Sequence, residues 1–230
     1  MSKFTPIAVL IGGTGGALGS YHSSSVKPKH KTFNPKLNVR FKDKYKNPLL
    51  DLDGDKDIWD AKWDSLKTGK PIHPKLQKAI ETKEKAEDSK KLHKEGCQDI
   101  YNSATMATPY FLDFKYYCSK TNKDVIKGNW ISANIKDDKK KSNSKSEWDE
   151  PLKDLEKADK KSLGRELLEL LRKIDPKTPP KFDDSHREKL KEWCDFISEE
   201  FYLGDSSRGV DNAKRFCLKK EAQQPAKKRK

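Results

Sequence analysis

The chain has 230 residues, a formal net charge of +14, 37% charged residues and only 33% hydrophobic ones. So little apolar material excludes a large α/β enzyme core, whose central strands are continuous apolar runs. It also excludes a polytopic membrane protein, because a single segment near the start is uncharged and apolar enough to reach a bilayer.

That segment opens the chain. Phe4 to Val26 carries no formal charge, and Phe4, Ile7, Val9, Leu10, Ile11 and Leu18 form its apolar core. As a signal peptide it would use Lys3 as the charged start and residues 4–18 as the apolar region, with cleavage between Gly19 and Ser20. As an uncleaved transmembrane helix it would bring Gly12 and Gly16, or Gly15 and Gly19, against a neighbouring helix. A dinucleotide loop needs a helix directly after the glycines, and Ser20 to Ser25 followed by Pro28 and Pro35 cannot supply one. Residues 1–19 are therefore expected to target a membrane, as signal peptide or anchor.

Residues 20–50 read as a basic flexible linker. Residues 27–46 hold seven lysines and Arg40 against Asp43, and residues 214–230 hold eight basic residues against Glu221. The excess charge thus sits in two flanks around a nearly neutral body, whereas a nucleic-acid-binding domain carries its basic patch on the folded body. Lysine also far outnumbers arginine, the residue that reads bases bidentately. No specific nucleic-acid partner is expected. By the positive-inside rule, Lys27, Lys29, Lys31 and Lys36 would keep the body of an anchored form in the cytosol; the cysteines, below, argue for the opposite face.

A first helical unit is expected over 51–120. Asp51, Asp53 and Asp55 imitate the start of a calcium loop, but Lys56 and Lys62 occupy the positions that need glycine and a bidentate glutamate. The stretch reads instead as an acidic helix start. Pro74 opens a long polar helix predicted to run through Leu76, Ala79, Ile80, Leu92 and Cys97 to Ile100, and a short helix is expected from Phe114 to Cys118. A polar linker covers 121–146. A second unit covers 147–219. There Leu163, Leu167, Leu170, Leu171 and Ile174 form one stripe at helical spacing. Asp184 or Ser185 is placed to cap the next helix, with Glu188 completing a capping box to Ser185. The stripe of that helix is Leu190, Trp193, Cys194, Ile197 and Phe201. A short helix spans Ala213 to Cys217, and 220–230 is a basic disordered tail.

The two units are related by an internal repeat. Trp59-Asp60 with Leu66 matches Trp148-Asp149 with Leu155, Lys94 to Ile100 matches Lys191 to Ile197, and Tyr117-Cys118 matches Phe216-Cys217. Two cysteines per unit, in register, predict disulfides Cys97–Cys118 and Cys194–Cys217 if the chain is exported. The alternative is buried free thiols, since cysteine is often simply a small core residue.

Catalytic and cofactor motifs are missing from the sequence. The five histidines form no H-E-x-x-H pair, the cysteines no C-x-x-C pair, and neither a phosphate loop nor a G-x-S-x-G turn occurs. No catalytic residue, metal, cofactor or small-molecule substrate is expected, and the protein is not read as an enzyme.

The apolar start Ile7 to Gly19, Trp59-Asp60-x-Lys62-Trp63-x-x-Leu66, Tyr117-Cys118-Ser119, Trp193-Cys194 and Phe216-Cys217 resemble the paralogous, uncharacterised membrane-targeted proteins of haemotropic mycoplasmas. The resemblance implies a non-enzymatic surface protein of an expanded family, with an interaction or antigenic role. Gly96, where the second unit has Trp193, departs from its pattern. Together these readings give an all-α protein of two related small helical units in tandem, membrane-associated or secreted, with the body extracytoplasmic. Its partners would be a membrane, through the N-terminal segment, and an unidentified protein. The alternative is a cytosolic or nuclear lysine-rich module whose flanks bind nucleic acid or anionic lipid non-specifically.

Overall fold

Helical spacing of apolar residues, punctuated by prolines and polar caps, gives ten α-helices and one 3₁₀ turn among the described residues, and no strand. The computed structural model describes residues 39–135, 146–174 and 182–220. The segment expected to target a membrane, with its expected cleavage position, the linker up to residue 38 and the tail beyond 220 lie outside them.

In chain order the helices are α1 Phe41–Lys44, α2 Lys56–Lys67, α3 Pro74–Glu81, α4 Ala86–Asn102, α5 Phe111–Tyr117, α6 Asn122–Val125, α7 Asp149–Glu156, α8 Arg165–Lys173, α9 Asp184–Ser198 and α10 Arg208–Phe216. α1 to α5 enclose one core, around Trp59, Trp63, Leu66, Ile100 and Phe114. The second core lies around Trp148, Leu155, Leu167, Leu190 and Phe216. The packing pairs correspond. α3 lies on α4, α2 on α5 and α4 on α5 in the first half; α8 lies on α9, α7 on α10 and α9 on α10 in the second.

Backbone hydrogen bonds recur in the same way. Phe41 N–H donates to Ser103 O and Thr105 N–H to Val39 O in the first half; Asn122 N–H donates to Glu200 O and Tyr202 N–H to Lys120 O in the second. Lys120 N–H reaches Pro48 O at 2.7 Å, and Lys219 N–H reaches Asn129 O at 2.8 Å. The Trp59 indole donates to Asp51 O and the Trp148 indole to Ala133 O.

This correspondence moves two expected boundaries. The basic linker does not extend to residue 50: Phe41 and Leu50 are buried in the first core. Nor do residues 121–135 of the expected 121–146 linker form an unstructured connection. Thr121 caps α6 through a capping box with Asp124, and Ile126 and Ile131 are buried, so the second half begins beside Lys120. Residues 136–145 lie outside the described set.

The long helix expected from Pro74 to Ile100 is two helices folded back on each other. α3 stops at Thr82, whose hydroxyl donates to Lys78 O at 2.9 Å, and Ser89 Oγ of α4 donates to Ala79 O at 3.0 Å. The close crossing needs Gly96: a Cβ there would meet Leu76 Cδ2 at 2.8 Å. Folding back buries Leu76 and Ala79, which a continuous helix would leave without a partner. The cap of α9 is Asp183, not Asp184 or Ser185, and it forms its box with His186 rather than through Glu188. Phe201 lies beyond the end of α9, with its ring in the first core, 5.3 Å from Tyr45 and 5.5 Å from Phe114.

Lys36–Lys230 forms one compact unit. Besides Phe201, ion pairs join the halves: Lys62–Asp124 and Lys115–Glu200, each at 2.7 Å. No helix among the described residues is long and apolar enough to cross a membrane.

Candidate functional site

The four cysteines form two disulfides, Cys97–Cys118 and Cys194–Cys217, with Cα atoms 5.3 Å and 5.5 Å apart. Both bridges are buried. Each ties a long helix, α4 or α9, to the C-cap of a short returning one, α5 or α10. Loop closure over separations of 21 and 23 residues stabilises each half by about 3 kcal/mol.

The first bridge has a neighbour that the second lacks. His93 lies one turn before Cys97 on α4 and is 1% exposed. Its Nε2 lies 2.8 Å from Tyr117 O; because a carbonyl only accepts, Nε2 carries the proton and donates. Burial pushes the imidazole down to about 4, against the opposing effect of the bond to Tyr117, so the ring is neutral at pH 7. The Trp59 ring stands edge-on to it at 5.2 Å. A ring nitrogen of His93 and the sulfurs of Cys97 and Cys118 all lie within 4.8 Å of one another. The adjoining Tyr101 hydroxyl donates to Cys118 O at 2.6 Å and accepts from Leu50 N–H at 3.3 Å, and burial pushes its phenol upward.

His93 also lines a cleft of about 740 Å³ between α2 and α4, walled by Trp59 and Trp63. Its rim balances Lys56, Lys90, Lys91 and Lys94 against Asp53, Asp60, Glu87 and Glu95. Lys90 bonds Asp60 at 2.6 Å, a contact that lowers the carboxylate's pKa and raises the amine's. Lys94 donates to Leu52 O at 2.7 Å and stands 5.5 Å over the Trp59 ring. These pairings leave the cleft near neutrality and fix its floor.

Among the residues singled out from sequence, the structure joins each expected cysteine pair. Asp55 of the imitation calcium loop is instead engaged with Lys120 and with Asp51 N–H. Sequence reasoning missed the His93–Cys97–Cys118 cluster. The signal that could have found it is the one-turn spacing of His93 and Cys97 on a predicted helix. No protein-family model, curated protein or solved structure matches the chain.

Proposed function

We propose that the chain is an internally duplicated helical protein that is exported and holds its disulfide-bonded body on the extracytoplasmic side of a membrane. There it offers an interaction or antigenic surface and catalyses no reaction. The observation that carries this reading is the pair of buried disulfides at corresponding places in the two halves, since structural bridges persist in oxidising compartments and are rare in the cytosol. The apolar segment around Ile7 to Leu18 supplies the targeting, and the corresponding hydrogen bonds of α1 and α6 support the duplication. Protease shaving or biotinylation of intact cells should reach the body. A body protected until the cells are lysed refutes the reading and favours the cytosolic lysine-rich module, which the lysines just after the apolar segment support.

A further inference from the structure

We propose that the first half, once its Cys97–Cys118 bridge is reduced, becomes a site for one soft divalent cation such as Zn²⁺, held by His93, Cys97 and Cys118. The site forms only where the bridge is reduced, and its test on the purified chain does not depend on the proposed export.

Three donors of the types that zinc selects already stand together. One imidazole nitrogen and two sulfurs lie within 4.8 Å of one another and all three residues are buried. His93 and Cys97 share a face of α4, one turn apart, and Cys118 caps α5 opposite them. The bond between His93 and Tyr117 O fixes the ring beside the sulfurs. Cys97 Sγ lies 3.6 Å from the same carbonyl.

The second half supplies the internal contrast. Its bridge has the same relation to a carbonyl, Cys194 Sγ lying 3.7 Å from Phe216 O. Where the first half has His93, it has Leu190, fully buried. Leucine satisfies the packing at this position, so packing alone gives no reason for an imidazole, whereas a third ligand does. A metal also needs a route in, and the first bridge has one: His93 lines the cleft whose rim carries Asp53, Asp60, Glu87 and Glu95.

The chemistry balances as follows. A dithiol reductant gives two electrons and two protons to the bridge; the S–S bond breaks, two thiols form, and the reductant leaves as a cyclic disulfide. The cation then displaces both thiol protons, so two thiolates and a neutral imidazole hold a dication and the buried site carries no net charge. With Zn–S near 2.3 Å, tetrahedral ligation sets the sulfurs about 3.8 Å apart. Side-chain rotation reaches this, since the Cα atoms are 5.3 Å apart. Three protein donors leave the fourth position to water from the cleft.

The test is a titration of the purified full chain with Co²⁺ in the absence of air, after reduction by a trialkylphosphine, which takes up the oxygen of water to become its oxide. One equivalent should give a thiolate-to-cobalt absorption band that Zn²⁺ abolishes by displacement. A Cys194→Ala, Cys217→Ala variant should keep the band in full. His93→Leu, copying the second half, and His93→Gln should each weaken binding at least tenfold. Far-UV circular dichroism follows the fold: if reduction melts the helices, the cation should restore them, because binding energy is then folding energy. The proposal is overturned by absence of the band, by a site that survives both His93 variants, by two equal sites, or by a reduced chain that stays unfolded with the metal.

Discussion

The seam between the halves rests on an asymmetric ion pair, and breaking it from either side should give unequal losses. Lys62 of α2 and Asp124 of α6 meet at 2.7 Å with side chains only 9% and 17% exposed. Asp124 also accepts from Thr121 N–H at 2.7 Å and Thr121 Oγ1 at 2.9 Å, closing the cap of α6. Asp124→Ala leaves a buried ammonium without its carboxylate, a loss of about 3–5 kcal/mol. It also opens the capping box, leaving Thr121 N–H without its carboxylate acceptor while Thr121 still caps the helix, about 1 kcal/mol more. Lys62→Met keeps the apolar stem, and Asp124 retains its bonds to Thr121, so its cost is about 1 kcal/mol. The double variant no longer buries a lone charge and should recover about 2–3 kcal/mol relative to Asp124→Ala. Urea unfolding followed by circular dichroism reads each as a midpoint shift at constant m. Equal losses for the two single variants, or strictly additive behaviour in the double, would refute this account of the seam.

Three further outcomes can be measured on the same protein. Replacing either cysteine pair by alanines should lower stability by about 3 kcal/mol and Tm by roughly 6–12 °C, almost equally for the two halves because their loops are of 21 and 23 residues; a loss under about 1 kcal/mol in either half contradicts the loop-closure argument. His93 titrates near 4 when folded and near 6.5 when unfolded, so between those values the unfolded chain holds more protons and stability falls as pH drops, by about 3 kcal/mol in total. His93→Leu should flatten that slope in urea titrations from pH 7 to pH 4, leaving a remainder from His73, whose imidazole burial also depresses; an unchanged slope places the acid sensitivity elsewhere. A methyl on Gly69 would stand 2.7 Å from Tyr117 Cζ and closer still to its hydroxyl, so Gly69→Ala should cost about 2 kcal/mol, and Tyr117→Phe, copying Phe216, should restore part of it in the double variant. Strict additivity of the two changes would show that the hydroxyl is not what excludes the methyl.

What could be read in the sequence was local or periodic. The stripe Leu167 and Leu170 with Leu163 and Ile174 at its ends, the register of the cysteines, and Pro74 at the start of α3 each carry their signal within a turn or two. What could not be read depends on tertiary partners. Nothing in Thr82 to Lys85 is a strong helix breaker; the turn there exists because Leu76 finds room over Gly96, a glycine that in isolation reads as a weak helix former. Phe41 is hidden by the charge around it, yet Arg40 and Asp43 pair with each other at 2.9 Å and Lys42 donates to Asn102 Oδ1 of α4 at 2.7 Å, so these charges leave the ring free to enter the core. The correspondence of α1 with α6 rests on hydrogen bonds to Ser103 and Glu200, residues far along the chain, and the two segments share little beyond Lys42-Asp43 and Lys123-Asp124. The role of His93 emerges only when α5 returns Cys118 to its side.

The central claim is that each half is closed by its own disulfide in the compartment where the protein lives. Non-reducing peptide mapping of protein taken from its native compartment, with free thiols blocked at lysis, tests it most directly. The account predicts one peptide pair joining Cys97 to Cys118 and one joining Cys194 to Cys217, with no blocked cysteine. Four blocked thiols, or a bridge from one half to the other, would contradict it.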